Sequence, residues 1–86
     1  MTTANNNTSD VRERLKEVFA LVFRLDKDAV GPDASTETIE GWDSLQHLTL
    51  ILTIEEEFGV SVPLEESMEW SNFSTIETRV REKLGP

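Results

Sequence analysis

Apolar residues fall at three- and four-residue spacing in three separate stretches of this chain, the signature of helices that each bury one face. In the first stretch Val11, Leu15, Val18, Phe19, Val22 and Leu25 share a face, while Arg12, Glu13, Arg14, Lys16 and Glu17 fill the other. Asp10 and Glu13 fit a capping box, so a helix is expected over residues 10–24. In the second stretch Leu45, Leu48, Ile51, Leu52, Ile54 and Phe58 form a wide stripe. Asp43 is placed to cap it, Gln46 to complete the box and Gly59 to stop it, giving a helix over 44–58. In the third, Ile76, Val80 and Leu84 align at four-residue spacing behind a Ser74–Glu77 box. Between the last two, Pro63 argues against a strand over residues 60–63, and residues 64–70 read as a short helix with Met68 inward. The expected class is all-α, with three longer helices and one short one.

The first two helices are separated by a long loop, residues 26–41, carrying Gly31, Pro32 and Gly41. A loop of that length in a small domain is usually functional or holds a turn of its own. Val30 and Ile39 are its expected anchors in the core. Eighty-six residues suffice for one domain. It is expected over residues 10–86, behind a frayed polar tail over residues 1–9. There are no cysteines to staple it or to bind a metal as thiolates. Seventeen acidic residues against eight basic ones give a net charge of −9 and disfavour nucleic-acid binding. No membrane span and no signal peptide are evident, so a cytoplasmic monomer is expected.

The segment Gly41-Trp42-Asp43-Ser44-Leu45 puts a serine hydroxyl on the first turn of the second helix. Hydrolysis there would need a base against the serine and a carboxylate behind the base. The only histidine, His47, is three residues on, but Asp43 is poorly placed to orient it, and a Gly-x-Ser-x-Gly elbow is absent. His47 is therefore expected to be a surface residue without a special role, and no residue is assigned a catalytic one. Modification fits better. A phosphodiester on Ser44 would lie against first-turn N–H groups and the positive end of the helix dipole. Asp43 beside it suits a divalent cation shared with the phosphates of an incoming donor.

In these residues the chain resembles the acyl carrier proteins, the family that binds 4'-phosphopantetheine. Asp43-Ser44-Leu45 looks like the family's attachment motif. Ile54-Glu55-Glu56-Glu57-Phe58-Gly59 looks like the end of its second helix, and Val62-Pro63 like the approach to its third, with matching spacing. The resemblance runs from about Val11 to Leu84 and implies a four-helix bundle with a long loop between helices 1 and 2. It implies that Ser44 receives the 4'-phosphopantetheine arm of coenzyme A from a phosphopantetheinyl transferase, with Asp43 in support. The arm's thiol would then carry acyl groups as thioesters between acyl-loading and acyl-processing enzymes, with no turnover by the carrier itself. Tethering raises the effective concentration of the cargo at each partner. Leu45, Leu48, Glu55 and Glu56 match the surface that partners read. Leu48, Ile51, Ile54, Val62 and Met68 are nearest the route by which an acyl chain folds back in the family, and equally fit plain core packing.

Gln46 and Thr49 stand where primary fatty-acid carriers usually have acids, and Trp42 departs from those carriers too. A discrete carrier of a specialised lipid, polyketide or other secondary pathway is therefore expected, with primary fatty-acid synthesis as the alternative. Two readings belong to other classes. Asp26 to Gly31 reads as the start of an EF-hand calcium loop with Glu37 at its twelfth position, but Val30 offers no side-chain ligand and no second loop exists. In a plain helical adaptor, Asp43 and Ser44 would be caps and nothing more.

Overall fold

A computed structural model describes residues 8–85. Its helices are α1 (Thr8–Phe23), α2 (Ser44–Phe58), α3 (Leu64–Ser67) and α4 (Phe73–Leu84), with a 3₁₀ turn over Lys27–Ala29 in the long loop. No strand is present among the described residues; an isolated antiparallel bridge joins Ser35 to Asn72.

The first helix starts before its expected cap. Asp10 is already helical, and its side chain, like residues 1–7 of the expected tail, lies outside the described residues. The Glu13 carboxylate pairs with Lys27 of the 3₁₀ turn at 2.9 Å. The helix ends at Phe23 because Arg24 turns left-handed, with φ 59°. The Leu25 N–H then donates to Ala20 O at 3.0 Å, which satisfies a carbonyl the helix would leave unpaired. The second helix runs as expected. Gly59 closes it at φ 65°, its N–H donating to Glu55 O. Arg14 of α1 fastens that end, donating to Glu57 O at 2.5 Å with its guanidinium carbon 4.7 Å from the centre of the Phe58 ring.

α1 packs on both α2 and α4. Leu15 and Phe19 from α1, Leu50 and Ile54 from α2, and Phe73, Ile76 and Val80 from α4 are wholly buried. Phe19 sits at the middle, its ring 5.1 Å from Phe73 and 5.5 Å from Trp42, so one side chain joins α1, α4 and the loop. Burying a ring of that size is worth roughly 1.5–3 kcal/mol. Leu50 is the α2 core residue that the stripe omitted; Leu45, Leu48 and Leu52 point outward instead.

The second half corrects two expectations. α4 begins at Phe73, and Asn72 caps it by accepting the Thr75 N–H at 2.8 Å. Glu77, expected as half of a box, is buried against Arg12 of α1 and Arg81 of its own helix. Burial pushes its carboxyl up, but the hydrogen bonds from Arg81 and Arg12 outweigh that and hold it below the ordinary carboxylate value. Met68 is 73% exposed, because α3 is one turn long and turns Ser67 and Trp70 inward.

Candidate functional site

The loop reaches the serine as a packed strap. Val30, Ala34 and Ile39 are buried along it. Its middle is stitched to the start of α4: Phe73 N–H donates to Ala34 O at 2.8 Å and Thr36 N–H to Ser71 O at 3.0 Å. At its end Gly41 takes φ 88°, a conformation that favours glycine, and delivers Trp42 into the core against Phe19 and Phe23. Trp42 is 8% exposed, so it wedges the loop against the helices.

Asp43 follows in extended conformation and accepts the Gln46 N–H at 2.9 Å. The cap is as expected, but the reciprocal half of the box is not made. The Gln46 side chain reaches the other way and donates to Val22 O of α1 at 2.9 Å. Ser44 is the first residue of α2 and exposed, at the end where main-chain N–H groups have no helical acceptor and the dipole is positive.

His47 is not a free surface residue. Its Nδ1 faces the Trp42 indole N–H at 3.0 Å, and its Nε2 lies 2.7 Å from Ser67 O of α3. The two rings are stacked, with centres 6.1 Å apart. Both ring nitrogens are therefore occupied, and neither is left to take a proton from Ser44. The sequence held no signal for this beyond an aromatic and an imidazole five residues apart across a helix start.

Ser44 stands at the edge of a groove of about 620 Å³ between α2, α3 and the loop. Trp42, Leu48, Leu64, Met68 and Trp70 supply its apolar lining; Asp43, His47, Ser67, Ser71 and Thr36 add polar atoms. Of the residues suggested for an acyl route, Leu48 and Met68 line this groove, whereas Ile51, Ile54 and Val62 belong to the core. Trp70 is fully buried, and its indole N–H has no partner among the described residues. Thr36, Ser71 and Trp70 were not legible as site residues, because the loop and the α3–α4 turn meet only in the folded chain.

Around the serine, Leu45 is 70% and Leu48 50% exposed. Glu56 is exposed, while Glu55 is half-buried and accepts the Val62 N–H at 2.8 Å. Thr49 turns its hydroxyl onto Leu45 O of its own helix. The calcium-loop reading finds no support: its opening residues form the 3₁₀ turn, Lys27 pairs with Glu13, and no three acidic, His or Cys side chains among the described residues could hold a metal. No helix among the described residues is long and apolar enough to cross a membrane.

Residues 13–80 match the family described as the phosphopantetheine attachment site. The chain is similar to the acyl carrier protein of Thermosynechococcus vestitus, 39% identical over 61 residues, which cover 71% of this chain and 75% of that one. It is also similar to the acyl carrier protein AcpXL of Rhizobium meliloti, 27% identical over 66 residues covering 77% and 70%. The same identity holds with AcpXL of Brucella melitensis over 70 residues, 81% of this chain and 75% of that one.

Proposed function

From the premise that this chain belongs to the acyl carrier protein family, with a phosphopantetheine attachment domain, we propose that Ser44 is the residue that accepts the arm. The observation that carries this is the exposed Ser44 hydroxyl at the capped start of α2. The serine Oγ attacks the β-phosphorus of coenzyme A, a new P–O bond forms, and 3',5'-ADP leaves. The serine proton passes to a base of the transferase, since His47 has no free nitrogen. Asp43 caps the Gln46 N–H, and its carboxylate would be available beside the serine to a Mg²⁺ carried by the donor. Once attached, the arm supplies a terminal thiol that carries acyl groups as thioesters.

The protein has no turnover of its own and serves a transferase and acyl-handling enzymes in the cytoplasm, working as a monomer. Leu45, Leu48 and Glu56 form the face partners meet, with Glu55 at its edge. The lack of an acid at Gln46 and Thr49 favours a specialised lipid, polyketide or other secondary pathway over primary fatty-acid synthesis.

The test is the intact mass of the full chain after incubation with coenzyme A, Mg²⁺ and a broad-specificity phosphopantetheinyl transferase. One added phosphopantetheine, lost in Ser44→Ala, is the expected result. A folded protein that gains nothing, or a Ser44→Ala variant that still gains it, overturns the assignment.

A further inference from the structure

We propose that neutral His47 is the positioning residue that holds α3 over the groove beside Ser44, and that a second proton on its ring releases α3. An indole N–H only donates, so Nδ1, 3.0 Å from Trp42 Nε1, must present a lone pair. A carbonyl oxygen only accepts, so Nε2, 2.7 Å from Ser67 O, must carry the proton. Of the three protonation states of imidazole, only the neutral Nε2–H form satisfies both. His47 thus ties the loop, α2 and α3 together with two hydrogen bonds of fixed direction.

α3 has little else of this kind. It is a single turn, its Ser67 hydroxyl donates within the turn to Leu64 O, and Met68 after it faces solvent. Its ion pair, Glu66 with Lys83 at 2.9 Å, leads away to α4. A proton on Nδ1 sets an N–H against the Trp42 N–H, so ring and indole must separate and the strut to Ser67 is lost. Asp43 lines the same groove one helical turn earlier, and Glu65, Glu66 and Glu69 lie on α3 and the turn after it, with Lys83 opposing through Glu66. From α1, the rings that pack on Trp42 are the uncharged Phe19 and Phe23. Loss of the strut on protonation therefore widens the groove mouth at the serine. The consequence for cargo rests on the carrier reading; the strut itself does not.

The chain has one histidine and two tryptophans, so its imidazole and indole signals are few enough to follow by ¹H–¹⁵N NMR on the full apo chain. Trp42→Phe identifies the Trp42 indole. At the upper pH the ring should be the Nε2–H tautomer. On acidification the Trp42 indole and the Ser67 and Met68 amides should move together, with the midpoint of the ring, while the Trp70 indole stays. His47→Phe keeps a ring against Trp42 but neither hydrogen bond, and should show the released positions at every pH. The proposal is overturned by a proton on Nδ1 at the upper pH, or by a ring that takes no second proton across the range. It is equally overturned by a ring that titrates while Trp42 and α3 stay still, or by His47→Phe leaving Ser67 and Met68 in place. Mass gain on the same sample with transferase reports separately whether the chain is a carrier.

Discussion

The side-chain amide of Gln46 donates to the main-chain oxygen of Val22 at 2.9 Å, joining the first turn of α2 to the last turn of α1. The Val22 carbonyl is one of the four at a helix C-terminus with no partner inside the helix. A residue beside the candidate attachment serine thus holds the bundle together from within. An acid there would face a carbonyl at the negative end of a helix dipole.

Gln46→Ala should cost about 1 kcal/mol, the net worth of one hydrogen bond, and Gln46→Glu more, about 1–3 kcal/mol, because it adds a charge repelled by the carbonyl. Urea unfolding at neutral pH should rank wild type above Ala above Glu. A Glu variant as stable as wild type would show that the contact carries no weight.

Ser44→Ala and Asp43→Ala should separate chemistry from capping. Ser44 is exposed, so Ser44→Ala should change stability by less than about 0.5 kcal/mol and yet accept no phosphopantetheine. Asp43→Ala removes the acceptor for Gln46 N–H and should cost about 1 kcal/mol while slowing, but not abolishing, loading. Thermal melts with a timed mass assay read both.

Acid should weaken the protein through Glu77. Its carboxyl lies below its ordinary value of 4.5 in the fold, so the unfolded chain takes up the proton first. Its contribution is complete above the ordinary value and is lost as pH falls through the lowered one. Glu77→Gln should cost about 1–3 kcal/mol at neutral pH and flatten the fall in melting temperature below about pH 5. An unchanged slope would place the acid sensitivity elsewhere.

Arg24 holds φ 59° at the end of α1, where a side chain is strained and glycine is not. It is exposed, so Arg24→Gly removes little else. The variant should be more stable by about 0.5–1 kcal/mol in the same urea assay, less what glycine adds to the freedom of the unfolded chain.

Much of this was legible before folding. The stripe of α1, the start of α2 at Ser44 with Asp43 as cap, and the anchoring of Val30 and Ile39 all follow from local periodicity and capping chemistry. The misses share one cause, which is contact between distant segments. Asn72 displaced Ser74 as the cap of α4 because Ala34 and Ser35 of the loop hold residues 72–73. Leu50 entered the core, and Leu45, Leu48 and Leu52 left it, because α1 covers only one side of α2. A single turn such as α3 has too few residues for periodicity to orient Met68. His47 and Gln46 looked like ordinary polar positions because Ser67 and Val22, their partners, are 20 and 24 residues away.

The stitching of Ala34 and Thr36 to Phe73 and Ser71 makes the chain a closed circuit: the segment that presents the serine is clasped by the segment that opens the final helix. Neither half is complete without the other. A chain cut between α3 and α4 would strip the loop of its clasp and Phe19 of a ring neighbour in one stroke. The domain therefore has no smaller working unit inside it, and anyone grafting the serine onto another scaffold must bring the last helix along.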